Sequence, residues 1–200
     1  MDRYMERTKD EKACCAAELE SVVQKKYKMI TRLLIYSGHS VTAMESCTGG
    51  MIASLLTDTE GASGVLKGTF VTYSNEAKIA CGVSEHIIQA YGVYSTQTAE
   101  AMAKAARHAY HADLGIGITG SFGNVDPVNS DSIPGEIYAA VSFLDSIVSE
   151  PFVLPLGLAR HTYKLLAADH TADLILHVLA DCGIMESDNN GTATDCAEGK

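Results

Sequence analysis

Ser46 closes a short apolar run, Val41-Thr42-Ala43-Met44-Glu45, and is followed by Cys47-Thr48-Gly49-Gly50 and by a segment of helical character, 51–57. A serine set at the end of a strand is a nucleophile wherever a base lies within hydrogen-bond reach. The N–H groups of Thr48, Gly49 and Gly50 are expected to stand free at the start of that helix, as an oxyanion hole or a phosphate cradle. A second cluster, Val71-Thr72-Tyr73-Ser74-Asn75-Glu76-Ala77-Lys78, adds a phenol and an amine. A serine, a tyrosine and a lysine suffice for acyl transfer without histidine. Plain structural alternatives stand beside each reading: a serine N-cap, a half-buried strand tyrosine, a solvated lysine.

The two clusters, with Gly117-Ile118-Thr119-Gly120 and an arginine-opened helix from Arg160, resemble the CinA carboxy-terminal domain family. The resemblance covers roughly residues 16–184. It implies a nicotinamide-nucleotide amidase, which hydrolyses nicotinamide mononucleotide to nicotinic acid mononucleotide and ammonia, with no cofactor and no metal. Full-length members carry a second, amino-terminal domain, so this chain resembles the stand-alone form. A homodimer or higher homo-oligomer is expected, with a nucleotide as the small-molecule partner.

Carried onto this sequence, the resemblance makes Ser46 the nucleophile and Lys78 the general base. Such a lysine must be brought down from about 10.4 to work at neutral pH, which costs about 4 kcal/mol and needs burial or a neighbouring cation. Tyr73 is expected to relay the proton or to hold the serine. Asn75 is a candidate for the substrate amide. Glu45 orients the turn, accepts a substrate hydroxyl or forms a salt bridge. Thr119 and Gly120 should sit at the same carboxyl edge of the sheet as Ser46, where ligands collect in open α/β sheets. Arg160 and Lys164, four apart on one helix face, are candidates for the substrate phosphate. Cys47 is a rival nucleophile in principle, but a free cysteine usually packs as a small hydrophobe.

One stretch departs from the family pattern. A glycine-rich, proline-containing loop is replaced by Ser121-Phe122-Gly123-Asn124-Val125-Asp126-Pro127. Fewer glycines leave fewer flexible donors, and Asp126 places a negative charge where an anionic ligand is expected. This keeps a second reading open, a non-catalytic nucleotide-binding or competence-associated module. A penicillin-recognising enzyme is set aside, because Gly49 occupies the place of the lysine in S-x-x-K and no K-T-G occurs. His108 and His111, at a helix end, have no obvious third ligand, and a favourable helix C-terminus explains them better than a metal.

The elements that must position these groups follow from periodicity. Helices are expected over 13–36, 51–57, from Ser74 to near Gly82, from Ser84 to near Gly92, from Ser95 through Tyr110, and over 158–182. Strands are expected over 40–44, 69–73, 114–119, 136–144 and 147–156, the last two antiparallel. The alternation predicts an α/β fold, with a mixed parallel/antiparallel sheet between helices on both faces, in three layers. One domain is expected over 13–184, with flexible tails at 1–12 and 185–200. The 200 residues, 46% of them hydrophobic and 20% charged, suit one globular domain. A net charge of −10 argues against a nucleic-acid surface. No apolar run reaches membrane-span length and the polar start is unlike a signal peptide, so a cytoplasmic protein with six reduced cysteines is expected.

Overall fold

The computed structural model describes residues 9–129 and 132–185, with side chains from residue 17 onward. The chain runs through α1 (Lys9–Ser37), β1 (Val41–Glu45), α2 (Met51–Thr57), β2 (Leu66–Val71), α3 (Asn75–Ala80), α4 (Glu85–Tyr91), α5 (Thr96–Tyr110), β3 (Leu114–Gly120), β4 (Glu136–Phe143), β5 (Ser146–Val153) and α6 (Arg160–Asp181). Five strands form one sheet in the order β2-β1-β3-β4-β5. β1 pairs in parallel with β2 and β3, whereas β4 is antiparallel to both β3 and β5. This is the expected mixed sheet in three layers. α1 begins at Lys9 rather than at Ala13, so positions 9–12, read as tail, are helical. The expected tails at 1–8 and 186–200 lie outside the described residues. β2 begins at Leu66, earlier than 69–73, and ends before Tyr73, which leaves that tyrosine in the connection to α3.

Alternation along the strands assigns the two faces. Val41 and Ala43 of β1, with Leu114, Ile116 and Ile118 of β3, pack into the main core beneath α1, α2 and α6. On α1, Val23, Tyr27, Ile30 and Leu34 recur at helical spacing and bury completely on that face. Met44 faces the other way, against Met102 and Ala106 of α5. There the helix seats closely because β3 presents glycines. A Cβ on Gly117 would lie 2.1 Å from the Ala99 carbonyl oxygen, and one on Gly115 would lie 2.3 Å from that of Ala103. Among the described residues, no helix is long and apolar enough to cross a membrane.

β1 and β3 end side by side, Glu45 opposite Ile118, and β2 ends opposite Glu45 at Val71. Three parallel strands therefore deliver their following residues to one carboxyl edge. That edge holds both sequence clusters.

Candidate active site

The Ser46 N–H donates to the Ile118 carbonyl (3.1 Å), which extends the parallel ladder one step past β1. The Gly49 N–H then donates back to the Ser46 carbonyl (3.1 Å) and closes a tight turn. Gly49 and Gly50 take φ of +61° and +95°, a left-handed path that suits glycine. Ser46 is only 7% exposed.

Glu45 settles what the turn can offer. Its buried carboxylate folds over the start of α2: Oε2 accepts from the N–H groups of Gly50 (3.0 Å) and Ile52 (3.1 Å), and Oε1 from Ala53 (2.9 Å). The charge of the preceding strand thus caps the helix N-terminus internally. This corrects the expectation of a phosphate cradle or oxyanion hole built from Gly49 and Gly50, because both N–H groups are already used. Of the three, only Thr48 keeps an N–H that neither a backbone carbonyl nor the Glu45 carboxylate takes, and the N–H of Cys47 shares that state. Both lie against the Cys47 thiol.

Lys78 arrives on α3, a short helix whose start is fixed by Ser74, whose Oγ accepts from the Ala77 N–H (3.1 Å). The end of β2 is strapped to β1 through the Thr72 N–H, which donates to the Glu45 carbonyl (2.8 Å). The lysine runs back along this strap and is 1% exposed. Its Nζ lies 3.0 Å from Ser46 Oγ and 2.9 Å from the Thr72 carbonyl oxygen. Burial brings its pKa down to about 8, against the opposing pull of the Asp126 and Glu76 carboxylates. In the neutral amine one N–H donates to Thr72, which leaves the lone pair to accept the Ser46 hydroxyl proton. Cys47 is disfavoured beside it: burial, then the Glu45 charge, push its thiol up to about 12.

The remaining expected residues divide between the site and its scaffold. Ser46 and Cys47 open into a cavity of about 450 Å³ whose wall includes Tyr73, Asn75, Asp126 and Arg160. Tyr73 stands at the mouth, well exposed, and its hydroxyl accepts from Arg160 Nη2 (2.8 Å). The expected proton relay through Tyr73 is therefore not formed, since the phenol reaches outward rather than between Ser46 and Lys78. Asn75 lines the cavity, but its Nδ2 donates to Asn129 Oδ1 (2.9 Å) and so ties α3 to the loop after β3. Gly120 lines the cavity, whereas Thr119 is fully buried, with its hydroxyl donating to the Val93 carbonyl (3.1 Å). Arg160 and Lys164 part company. The Arg160 guanidinium sits 5.1 Å from the centre of the Phe122 ring, whereas Lys164 Nζ packs against the turn, 3.2 Å from where a Cβ on Gly49 would lie.

Sequence reasoning missed two contributors. The Thr72 carbonyl that orients Lys78 is a backbone group and has no side-chain signature. The second is the hydrogen-bonded order at 126–129 in the segment after β3. Asp126 accepts from Tyr94 Oη (2.5 Å), Asn129 Nδ2 (2.6 Å) and the Val128 N–H (2.9 Å). The Tyr94 hydrogen bond, with the others, holds its carboxyl below the usual carboxylate range. The Asp-Pro-x-Asn spacing at 126–129 is the signal that predicts such an Asx turn. Among the described residues, no three His, Cys, Asp or Glu side chains converge into a metal-binding group.

Comparison with known proteins places this arrangement. The family model described as the CinA C-terminal domain matches residues 23–179. The chain is 37% identical over 144 residues to a CinA-like protein of Desulfovibrio desulfuricans, covering 70% of this chain and 33% of that protein. It is 38% identical over 147 residues to a CinA-like protein of Shewanella pealeana, covering 72% and 33%. The chain thus spans about a third of the length of these relatives. Its fold is similar to the crystal structure of a competence/damage inducible protein from Agrobacterium tumefaciens, with 26% identity, a TM-score of 0.71, and coverage of 78% of this chain and 94% of that one. It is also similar to a competence-damaged protein (CinA) superfamily protein from Escherichia coli, at 25% identity, TM-score 0.72, and coverage of 78% and 90%. With the matched region running from α1 through α6, the chain belongs to the CinA C-terminal domain family.

Proposed function

We propose that the protein is a serine amidase that hydrolyses nicotinamide mononucleotide to nicotinic acid mononucleotide and ammonia. The observation that carries this reading is the buried contact of 3.0 Å between Lys78 Nζ and Ser46 Oγ, with the amine brought to about 8 by its surroundings. A lysine with that pKa is about a tenth neutral at pH 7, against well under a thousandth for an ordinary one.

In this reading the Ser46 oxygen attacks the carboxamide carbon while its proton passes to Lys78 Nζ. The N–H groups of Cys47 and Thr48 replace those of Gly49 and Gly50 as donors to the tetrahedral oxyanion. Collapse breaks the C–N bond, and the Lys78 ammonium returns the proton to the departing ammonia. Water, deprotonated by the same amine, then hydrolyses the acyl-serine. Arg160, at the cavity mouth, is the group placed to meet a phosphate once it leaves Tyr73.

The test is ammonia release from nicotinamide mononucleotide by the wild type, Ser46→Ala and Lys78→Ala. Release by the wild type alone supports the reading. Binding of the nucleotide without release by any of the three would replace it with a binding module.

A further inference from the structure

Among the described residues that line the cavity, Arg160 is the one lysine or arginine. The Lys78 nitrogen is buried on Ser46 Oγ and the Thr72 carbonyl. An anionic group of a ligand at the mouth therefore depends on where the Arg160 side chain stands. Two unlike contacts decide that. The guanidinium donates through Nη2 to the Tyr73 hydroxyl (2.8 Å), an exposed and neutral acceptor. It also lies over the Phe122 ring, 5.1 Å from its centre, within the range of cation–π attraction. Phe122 is itself fixed. Its ring stacks on Tyr163, with centroids 5.2 Å and planes 12° apart, and both residues are 2% exposed. Tyr163 Oη accepts from the Leu158 N–H (3.4 Å), and the chain after Phe122 passes so close that a Cβ on Gly123 would lie 2.9 Å from that oxygen. Arg160 and Tyr163, one turn apart on α6, thus share a single ring supplied by the segment after β3.

We propose that Phe122 is a positioning residue for anion recognition: its ring holds the Arg160 guanidinium at the cavity mouth, so that a phosphate displaces the Tyr73 hydroxyl and finds the cation already in place. This rests on the nucleotide reading of the same site. The two contacts on Arg160 then act with opposite sign. Tyr73 competes with the phosphate for a guanidinium N–H, and the charged oxygen is the stronger acceptor. Phe122 takes no N–H, because a ring face attracts the cation as a whole, so the donors of the fork stay available to the anion. The stack also removes beforehand the rotamer freedom that a long side chain loses on binding. Phe122 stands in the stretch where the chain departs from the family pattern, and this device needs none of the flexible N–H donors that the stretch lacks.

The experiment uses the full chain carrying Ser46→Ala, which separates binding from turnover. Calorimetry compares nicotinamide mononucleotide with its phosphate-free nucleoside, and the ratio of the two affinities is the phosphate preference. Adding Phe122→Leu, which keeps apolar bulk but loses the ring, should reduce the preference about fivefold. Phe122→Tyr keeps the ring face and should leave it unchanged. Tyr73→Phe removes the competing hydroxyl and should raise it about threefold. In an Arg160→Ala background, Phe122→Leu should reduce it no further. If Phe122→Leu does not fold, Arg160→Lys decides: it retains the charge and the stack of Phe122 on Tyr163 but not the planar fork, so the preference should fall about fivefold. No measurable binding of the nucleotide, equal affinities for the two ligands, a loss from Phe122→Leu that falls on both alike or persists without Arg160, or a preference not raised by Tyr73→Phe would overturn the proposal. Ammonia release by the wild type is read separately. Equally efficient release from both ligands would overturn this proposal and leave the amidase reading standing. A phosphate preference that follows these variants, without any release, would remove the amidase reading and leave this one.

Discussion

Replacing Lys78 with methionine should stabilise the protein at pH 7 and destabilise it at pH 10.5. An unfolded lysine titrates near 10.5, and the folded one near 8. Below pH 8 both states carry the proton, and the folded state bears the full burden of a buried ammonium, about 3 kcal/mol. Between pH 8 and 10.5 the unfolded state binds more protons than the folded one, so stability rises with pH across that window and levels off above it. Methionine fills a similar volume and never carries the charge. It abandons two hydrogen-bond partners, Ser46 Oγ and the Thr72 carbonyl, at about 1 kcal/mol each. The variant should therefore be more stable than the wild type by about 1 kcal/mol at pH 7, and less stable by about 2 kcal/mol above pH 10.5, with a crossing near pH 9. Urea denaturation of the two proteins side by side measures this, since every other titrating group cancels in the difference. A difference that stays constant from pH 7 to 10.5 would refute the depressed lysine and, with it, its role as base.

The same titration should govern the rate. kcat/KM for ammonia release should climb about tenfold per pH unit below an apparent pKa of about 8 and level off above it, because the neutral amine is the active form; a flat profile between pH 6 and 9 would contradict Lys78 as base. Glu45→Gln should lose about 2 kcal/mol in urea unfolding, as one amide oxygen cannot serve the three N–H groups of Gly50, Ile52 and Ala53. Unchanged stability would mean that α2 does not depend on this cap. Gly117→Ala should cost about 3 kcal/mol by thermal unfolding, because its methyl group meets the backbone of α5 at Ala99 and Ala103.

Most of the fold was legible because its signals are local. Ser74 and Ser95 cap their helices with their own hydroxyls, and each is followed by a helix. The fully buried β1 and β3 read as apolar runs because parallel central strands are covered on both faces. The start of β2 was less legible. Leu66-Lys67-Gly68 lacks the β-branched character of Thr69 to Val71, and pairing with β1 draws it into the sheet regardless. In the site, Ser46 and Lys78 are paired in the sequence only by what the family resemblance implies, because their proximity rests on a strap from Thr72 to Glu45 that no pattern announces. The donors went wrong for a physical reason. Glycines at a helix start suggest free N–H groups, yet Glu45, on the strand just before, was in reach to take them. Tyr73 misled similarly, since a residue two steps past the end of β2 turns outward where it was expected to turn in.

Ser46, and not its neighbour Cys47, should carry the acyl group. Acid-quenching the protein during incubation with nicotinamide mononucleotide and mapping its peptides by mass spectrometry tests this directly, with ammonia release by Ser46→Ala and Cys47→Ala measured in parallel. A nicotinoyl ester on Ser46, no release from Ser46→Ala and continued release from Cys47→Ala are expected. An adduct on Cys47, or ammonia release undiminished by Ser46→Ala, would contradict this assignment.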